Sequence, residues 1–227
     1  MELHRIGFIR SDFPTKFGIP RQSGRVEGLQ ADILFDAKYR AAEAFRGLEA
    51  FSHIWILWGF SENEGAHWSP TVRPPRLGGN KRMGVFATRS PFRPNAIGLS
   101  SVRLLGMELD TPEGPVLHVG GADLMDGTPI YDIKPYLSYD CHPDALEGIY
   151  EETGKHSLSV LFPEELKARL PQEKLQALLD VLAEDPRPGY HDDSERIYGM
   201  PFSGWDVRFS VKENQLRVVE MVKLPRG

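Results

Sequence analysis

The sequence is poor in cysteine, holding one, Cys141, in 227 residues. A single thiol excludes an intramolecular disulfide and any zinc site built on two thiolates. It fits a reducing compartment, so a cytoplasmic location is expected. Cys141 lies in an acidic stretch that disfavours its thiolate, so no cysteine nucleophile is expected. The seven histidines are scattered without an HxxxH pair, and no metal is expected. Long apolar runs are missing too. Ile54 to Phe60 is the longest and is far too short to cross a membrane. Glu2, His4 and Arg5 break up the first ten residues, so these are not expected to form a secretory leader. The glycine signatures of a Rossmann site, a P-loop and an α/β-hydrolase elbow are absent, because Gly78-Gly79 and Gly120-Gly121 lack the spacing.

What the chain does have is a basic island. From Gly65 to Met107 there are seven basic residues and no acidic one: Arg73, Arg76, Lys81, Arg82, Arg89, Arg93 and Arg103. The whole chain carries −5, which leaves −12 for the remainder. Such an island in an acidic protein points to a polyanion, since Arg and Lys neutralise phosphates and release counterions. Hydrophobic content of 41% and charged content of 26% are otherwise ordinary for a globular chain with one good-sized core, or one domain plus an appendage.

Eighteen prolines and 22 glycines cut the first two-thirds of the chain into short segments, as in an all-β unit. Strands are expected near Leu3–Ile9, Leu29–Leu34, His53–Phe60, Gly84–Thr88, Ile97–Leu105, Val116–Gly120 and Tyr131–Pro135, with a short helix at Lys38–Arg46. HIWILWGF at His53–Phe60 is apolar on both faces, as a buried central strand would be. The pattern fits a barrel or sandwich rather than a doubly wound sheet. Ser138 to about His156 is acidic and aperiodic and serves as a connector. Beyond it come a strand at Leu158–Phe162, a helix from Pro163 through Leu170 and a second helix opened by Pro171, with Leu175, Leu178, Leu179 and Leu182 as its apolar stripe. Strands Trp205–Val211 and Leu216–Leu224 close the chain. The division is therefore residues 1–137, 138–156 and 157–227: a mainly β first domain, a linker and a small α/β domain.

Four segments could carry chemistry. ATRSPFRPNAIGLS (Ala87–Ser100) holds Arg89, Arg93 and Asn95 on a bend stiffened by Pro91 and Pro94. Rigid presentation lowers the entropy lost on binding, and guanidinium suits phosphate or carboxylate. An ordinary proline-rich loop with solvated arginines reads equally well. GADLMDGTPIYDIKPYL (Gly121–Leu137) crowds Asp123, Asp126, Asp132, Lys134, Tyr131 and Tyr136 around an Asp-Gly turn. These groups suit acid–base work, acceptance of hydrogen bonds from adenine or ribose, or plain turn capping. PRQSG (Pro20–Gly24) and EDPRPGY (Glu184–Tyr190) read on their own as surface loops.

Together, PRQ (Pro20–Gln22), RGLEAFSHIWIL (Arg46–Leu57), PTVRPPRLGGN (Pro70–Asn80), GVFATRSPFRPNAIGLS (Gly84–Ser100), DLMDGTPIYDIKPYL (Asp123–Leu137) and EDPRPGY closely resemble the bacterial tRNA adenosine N6-methyltransferase family. The resemblance runs over nearly the whole chain, in order, except for the connector. It implies a single-sheet β-barrel that uses S-adenosylmethionine (SAM). The implied substrate is N6-threonylcarbamoyl-adenosine just 3′ of the anticodon in threonine tRNA, and the implied assembly is a homodimer. It also implies a SAM site at Arg21, Gln22, Phe60, Arg89, Leu99 and the turn Asp126, Gly127, Thr128 and Pro129. Asp126, Asp132 and Tyr136 become candidates to take the N6 proton. Arg73, Arg76, Lys81, Arg82, Arg93, Arg187 and Tyr190 become candidates to contact tRNA. Read from residues alone, a non-catalytic RNA-binding module and a hydrolase of small anionic substrates stay open.

Overall fold

The computed structural model describes residues 2–63, 67–74, 81–153, 157–187 and 193–225, with the side chains of 151–153 left aside. Six antiparallel strands close into a barrel: β1 (Gly7–Arg10), β2 (Gln30–Phe35), β3 (His53–Gly59), β6 (Ile97–Glu108), β7 (Val116–Gly120) and β8 (Pro129–Pro135). The order around it is β1-β2-β7-β6-β3-β8, and closure leaves no exposed sheet edge. A two-stranded hairpin, β4 (Thr71–Val72) with β5 (Met83–Gly84), stands apart. Period-2 alternation sends Ile9, Ile33, Ile54, Ile56, Leu117, Val119 and Ile130 inward, each with no exposed surface. These β-branched and aliphatic side chains fill the barrel, so it is a packed core and not a channel.

Two expected elements take another form. Gly84–Thr88 is not a strand. After β5 the chain turns through a 3-10 helix at Val85–Ala87, because both the Thr88 amide and its hydroxyl donate to the Val85 carbonyl. Lys38–Arg46 is not one helix but two 3-10 turns, Ala37–Tyr39 and Ala42–Phe45. Arg40 donates to the Phe35 carbonyl, and Phe45 packs edge-on against Phe35 at 4.8 Å. Those two anchors hold the segment on the barrel in a path that a straight helix would not follow.

The second unit is a four-stranded sheet with helices. It comprises β9 (Ser159–Leu161), α1 (Glu164–Lys167), α2 (Gln172–Ala183), β10 (Tyr198–Phe202), β11 (Trp205–Lys212) and β12 (Gln215–Lys223), in sheet order β10-β11-β12-β9. β9 runs parallel to β12, and the other pairs are antiparallel. α1 stops after four residues. Pro171 disfavours helical geometry at Leu170, so the chain tightens into i→i+3 bonds at Arg169 and Leu170. α2 buries Leu175, Ala177, Leu178, Val181 and Leu182, while Leu179 is only partly covered.

The core of this second unit includes residues from the start of the chain. Phe13, Val26 and Leu29, on the long loop between β1 and β2, are buried in it. Phe13 meets Phe202 edge-on at 5.3 Å. Gly18 has a φ of +90°, and a Cβ there would fall 2.1 Å from the Met200 sulfur. Only glycine satisfies both constraints. Lys174 on α2 pairs with Asp12 at 2.6 Å. The loop from residue 11 to 29 thus emerges from the barrel and is packed by the other unit.

Candidate active site

The cavity that matters lies against β3 and β6, where the loops of the barrel meet their ends, and encloses about 590 Å³. Five segments line it. The loop between β1 and β2 brings Pro20 to Ser23. β3 and its exit bring Trp55, Trp58 and Phe60. The loop before β6 brings Thr88, Arg89 and Arg93. The start of β6 brings Ile97 to Leu99, and Asp123 enters just after β7.

The aromatic wall depends on two local features. Trp58 keeps the parity of Ile54 and Ile56, in unbroken register with β6, and packs partly against the barrel core at the end of β3, while Trp55 stands on the opposite face; both reach the cavity. Trp58 pairs directly with Gly98 across the sheet. A Cβ on Gly98 would sit 2.2 Å from the indole ring, so glycine lets the ring lie down on β6. Phe60 then packs on Trp58 at 4.4 Å, and Leu99 stays 56% exposed at the rim.

The polar side is one connected chain. The Trp58 indole N–H donates to the Ser100 hydroxyl at 3.0 Å, and Ser100, itself buried, donates to Asp123 at 2.6 Å. Burial pushes the Asp123 carboxyl above its ordinary pKa; the Ser100 bond, nearby backbone amides and the Arg89 charge pull it back down. Arg89 donates to the Gln22 side-chain carbonyl. Arg21 donates to the Arg187 carbonyl at 3.4 Å, across to the second unit. Partial desolvation lowers the Arg21 pKa, while Asp185 and Glu184 act in the opposite sense. Arg93 points back at its own loop, donating to the Thr88 carbonyl at 2.7 Å and the Val85 carbonyl at 3.2 Å, with Phe86 beneath it at 5.7 Å.

Arg21, Gln22, Phe60, Arg89 and Leu99 therefore meet in one cavity. The turn Asp126 to Pro129 lies elsewhere. Asp126 accepts the Ser11 amide at 2.9 Å, Gly127 donates to the Ile9 carbonyl, Thr128 is buried with its hydroxyl on Met125, and Pro129 pairs with Phe8. Asp132 stands on β8 with Lys134 at 3.0 Å, and Tyr136 leans on Trp55, a cavity residue, at 5.1 Å. Arg73, Lys81 and Arg82 are exposed, with Arg82 on the Thr71 hydroxyl at 3.3 Å. Arg187 is clasped by Asp185 through two bonds of 2.9 and 2.8 Å. Arg76 and Tyr190 lie outside the described residues. Trp55, Trp58 and Ser100 carried no warning in the sequence, because an apolar strand and a lone serine read as core. Asp123 was visible only as one acid in a crowd; the hydrogen-bonded chain singles it out.

The profile of the tRNA-methyltransferase O N-terminal domain matches residues 8–141, and that of the TrmO C-terminal domain matches residues 155–224. The chain belongs to the tRNA-methyltransferase O family. It is 44% identical over 222 residues to the tRNA (adenine(37)-N6)-methyltransferase of Escherichia coli (strain K12), covering 93% of this chain and 94% of that one. With the enzyme of the same name from Eikenella corrodens the identity is 45% over 180 residues, 78% of this chain and 100% of that one. A crystal structure of TrmO from Pseudomonas aeruginosa superposes with a TM-score of 0.77 at 33% identity, covering 98% of both chains. Membership makes the chain a methyltransferase on a β-barrel and explains the missing Rossmann glycines. Among the described residues no group of three or more His, Cys, Asp or Glu could hold a metal ion, and no helix is long and apolar enough to cross a membrane.

Proposed function

We propose that the protein transfers a methyl group from SAM to N6 of N6-threonylcarbamoyl-adenosine, next to the anticodon of threonine tRNA. The observation that carries the reading is the split character of the 590 Å³ cavity, with an aromatic wall on one side and, on the other, arginines with the Asp123 carboxylate within electrostatic reach of Arg89. A ligand with a planar base, a cation and a carboxylate matches that division. When bound, SAM supplies a methyl on a sulfonium, open to in-line attack by a nitrogen. Trp58, Phe60 and Leu99 offer walls for the adenine. Arg89, braced on Gln22, and Arg21 suit the carboxylate. Asp123 suits the cationic side and is held in place by Ser100.

Alignment is the main task of these groups, and near-attack positioning can contribute about 7–11 kcal/mol. The carbamoyl substituent makes the N6 proton more acidic than in plain adenosine, so only a modest base is needed. Among Asp126, Asp132 and Tyr136, Tyr136 stands against a cavity residue, Trp55, and is our first choice. Arg73, Arg76, Lys81, Arg82 and Arg93 would meet RNA phosphates or the threonyl carboxylate, and exposed Trp68, Phe86 and Phe92 suit unpaired bases. In this reading residues 1–137 do the chemistry and 157–227, with Arg187 and Tyr190, help grip the anticodon loop across the 138–156 linker. A homodimer, for which sedimentation is the test, would bury exposed Leu105 on β6, and a tRNA substrate would put the enzyme in the cytoplasm.

Isothermal titration with SAM and with S-adenosylhomocysteine, without tRNA, tests the cofactor. Saturable binding near one per subunit is expected, and Arg89→Ala should abolish it. A pure RNA-binding module or a hydrolase predicts no binding at all. Tritium transfer to threonine tRNA with and without the threonylcarbamoyl group then tests the substrate.

A further inference from the structure

The connector carries none of the family motifs, yet it touches the cavity wall at both ends. Asp140 accepts the Trp55 indole N–H at 3.0 Å and the Leu137 amide at 3.1 Å. Ten residues on, the Tyr150 hydroxyl accepts the backbone N–H of Arg89 at 3.0 Å, across 61 positions of sequence. Between them Glu147 lies within electrostatic reach of Arg25, on the loop that bears Arg21 and Gln22. One segment therefore spans both arginine-bearing loops.

We propose that Tyr150 is a positioning residue of the cofactor cavity, fixing the Arg89 backbone so that its guanidinium meets Gln22 and Asp123. This rests on the cavity being the cofactor site. The local geometry explains why an outside anchor is needed. Thr88 is tied to Val85 through its amide and hydroxyl, and the Ser90 amide donates to the same Thr88 hydroxyl at 3.3 Å. Those bonds fix the residues on either side of Arg89. Tyr150 supplies the bond at Arg89 itself, and a half-buried phenol on a short turn gives it a firm seat. Pre-ordering a binding side chain reduces the entropy lost when the ligand arrives.

The test is Tyr150→Phe, which deletes the acceptor and keeps the ring. One hydrogen bond of this kind is expected to weaken S-adenosylhomocysteine binding roughly three- to tenfold. The KM for SAM should rise with it, while kcat at saturating SAM and the melting temperature hold. The Arg89 amide should shift upfield in the 15N–1H spectrum and exchange faster with solvent. In an Arg89→Lys background the same substitution should add little further loss, because the two residues act as one unit. An unchanged dissociation constant, despite a shifted Arg89 amide, overturns the positioning role. So does a weakened affinity that tracks a fall in melting temperature. Wild-type protein that fails to bind S-adenosylhomocysteine at all sinks the cofactor reading instead, and the role of Tyr150 with it.

Discussion

The two loops that furnish arginines to the cavity are held by opposite means. The loop between β1 and β2 is anchored at long range. Phe13, Val26 and Leu29 sit in the core of the second unit, Asp12 pairs with Lys174, and Arg25 pairs with Glu184 at 2.5 Å. The loop between β5 and β6 has no share in that core and is held by hydrogen bonds: within itself through Thr88 and Arg93, and from outside through the Pro70 carbonyl, the Ser69 and Phe60 amides, Gln22 and Tyr150. The difference teaches that the second unit is part of the scaffold of the cavity. Its apolar core is what holds Arg21 and Gln22 in place.

The sharpest way to break the comparison is Phe13→Ala. Removing a fully buried ring should cost about 3–5 kcal/mol of stability. Because Phe13 is shared between the loop and the second sheet, cofactor affinity should fall with it, although Phe13 does not line the cavity. Calorimetric melting and titration with S-adenosylhomocysteine measure the two effects. A large drop in melting temperature with unchanged affinity would show that the loop holds its shape without the second unit.

Arg93→Lys probes the other loop and should act in the reverse proportion. One guanidinium nitrogen, Nη1, bonds both carbonyls while the flat group lies over Phe86; lysine keeps the charge but loses that reach and the planar stacking. Affinity should fall roughly tenfold, equivalent to about 1.4 kcal/mol, with little change in melting temperature. Full affinity in the lysine variant would make Arg93 a simple point charge rather than a brace.

The same contrast explains what the sequence could disclose. The barrel strands were legible because alternation and turn residues are local, and they place β2, β3, β6 and β7 within a few residues. The short strands β4 and β10 were not, since two to five residues of mixed character carry no period. At the site, Arg89 and Arg93 announced themselves through the rigid Pro-rich string. The family resemblance, not residue type, brought Arg21, Gln22 and Phe60 into consideration. Trp58 joins the wall because Gly98, its partner on β6, leaves room for the indole, and Ser100 because its hydroxyl lies between the Trp58 indole and Asp123, neither of which a sequence pattern signals. The connector was the least readable segment, for its two contacts depend on where a chain without periodicity comes to rest.

The smallest effect serves as the control, because it should move stability and leave both loops alone. His118, on β7, bridges Asp32 on β2 at 2.8 Å and Glu108 on β6 at 3.2 Å. The bond to Asp32 chiefly raises its pKa above the ordinary 6.5, with Glu108 adding to it and burial opposing. Since the folded value lies above the unfolded one, the contribution is complete below about pH 6.5 and fades as pH rises through the folded pKa. The group is a third exposed, so solvent screening keeps the effect small. Urea midpoints should therefore decline gently from pH 6 to pH 8 in the wild type, and His118→Gln should flatten that slope. The dissociation constant for S-adenosylhomocysteine should be the same in both proteins across that range, because none of the three residues lines the cavity. An affinity that followed the His118 titration would mean that strain in the barrel wall reaches the arginine loops, and the contrast between a core-anchored and a hydrogen-bonded loop would have to be abandoned.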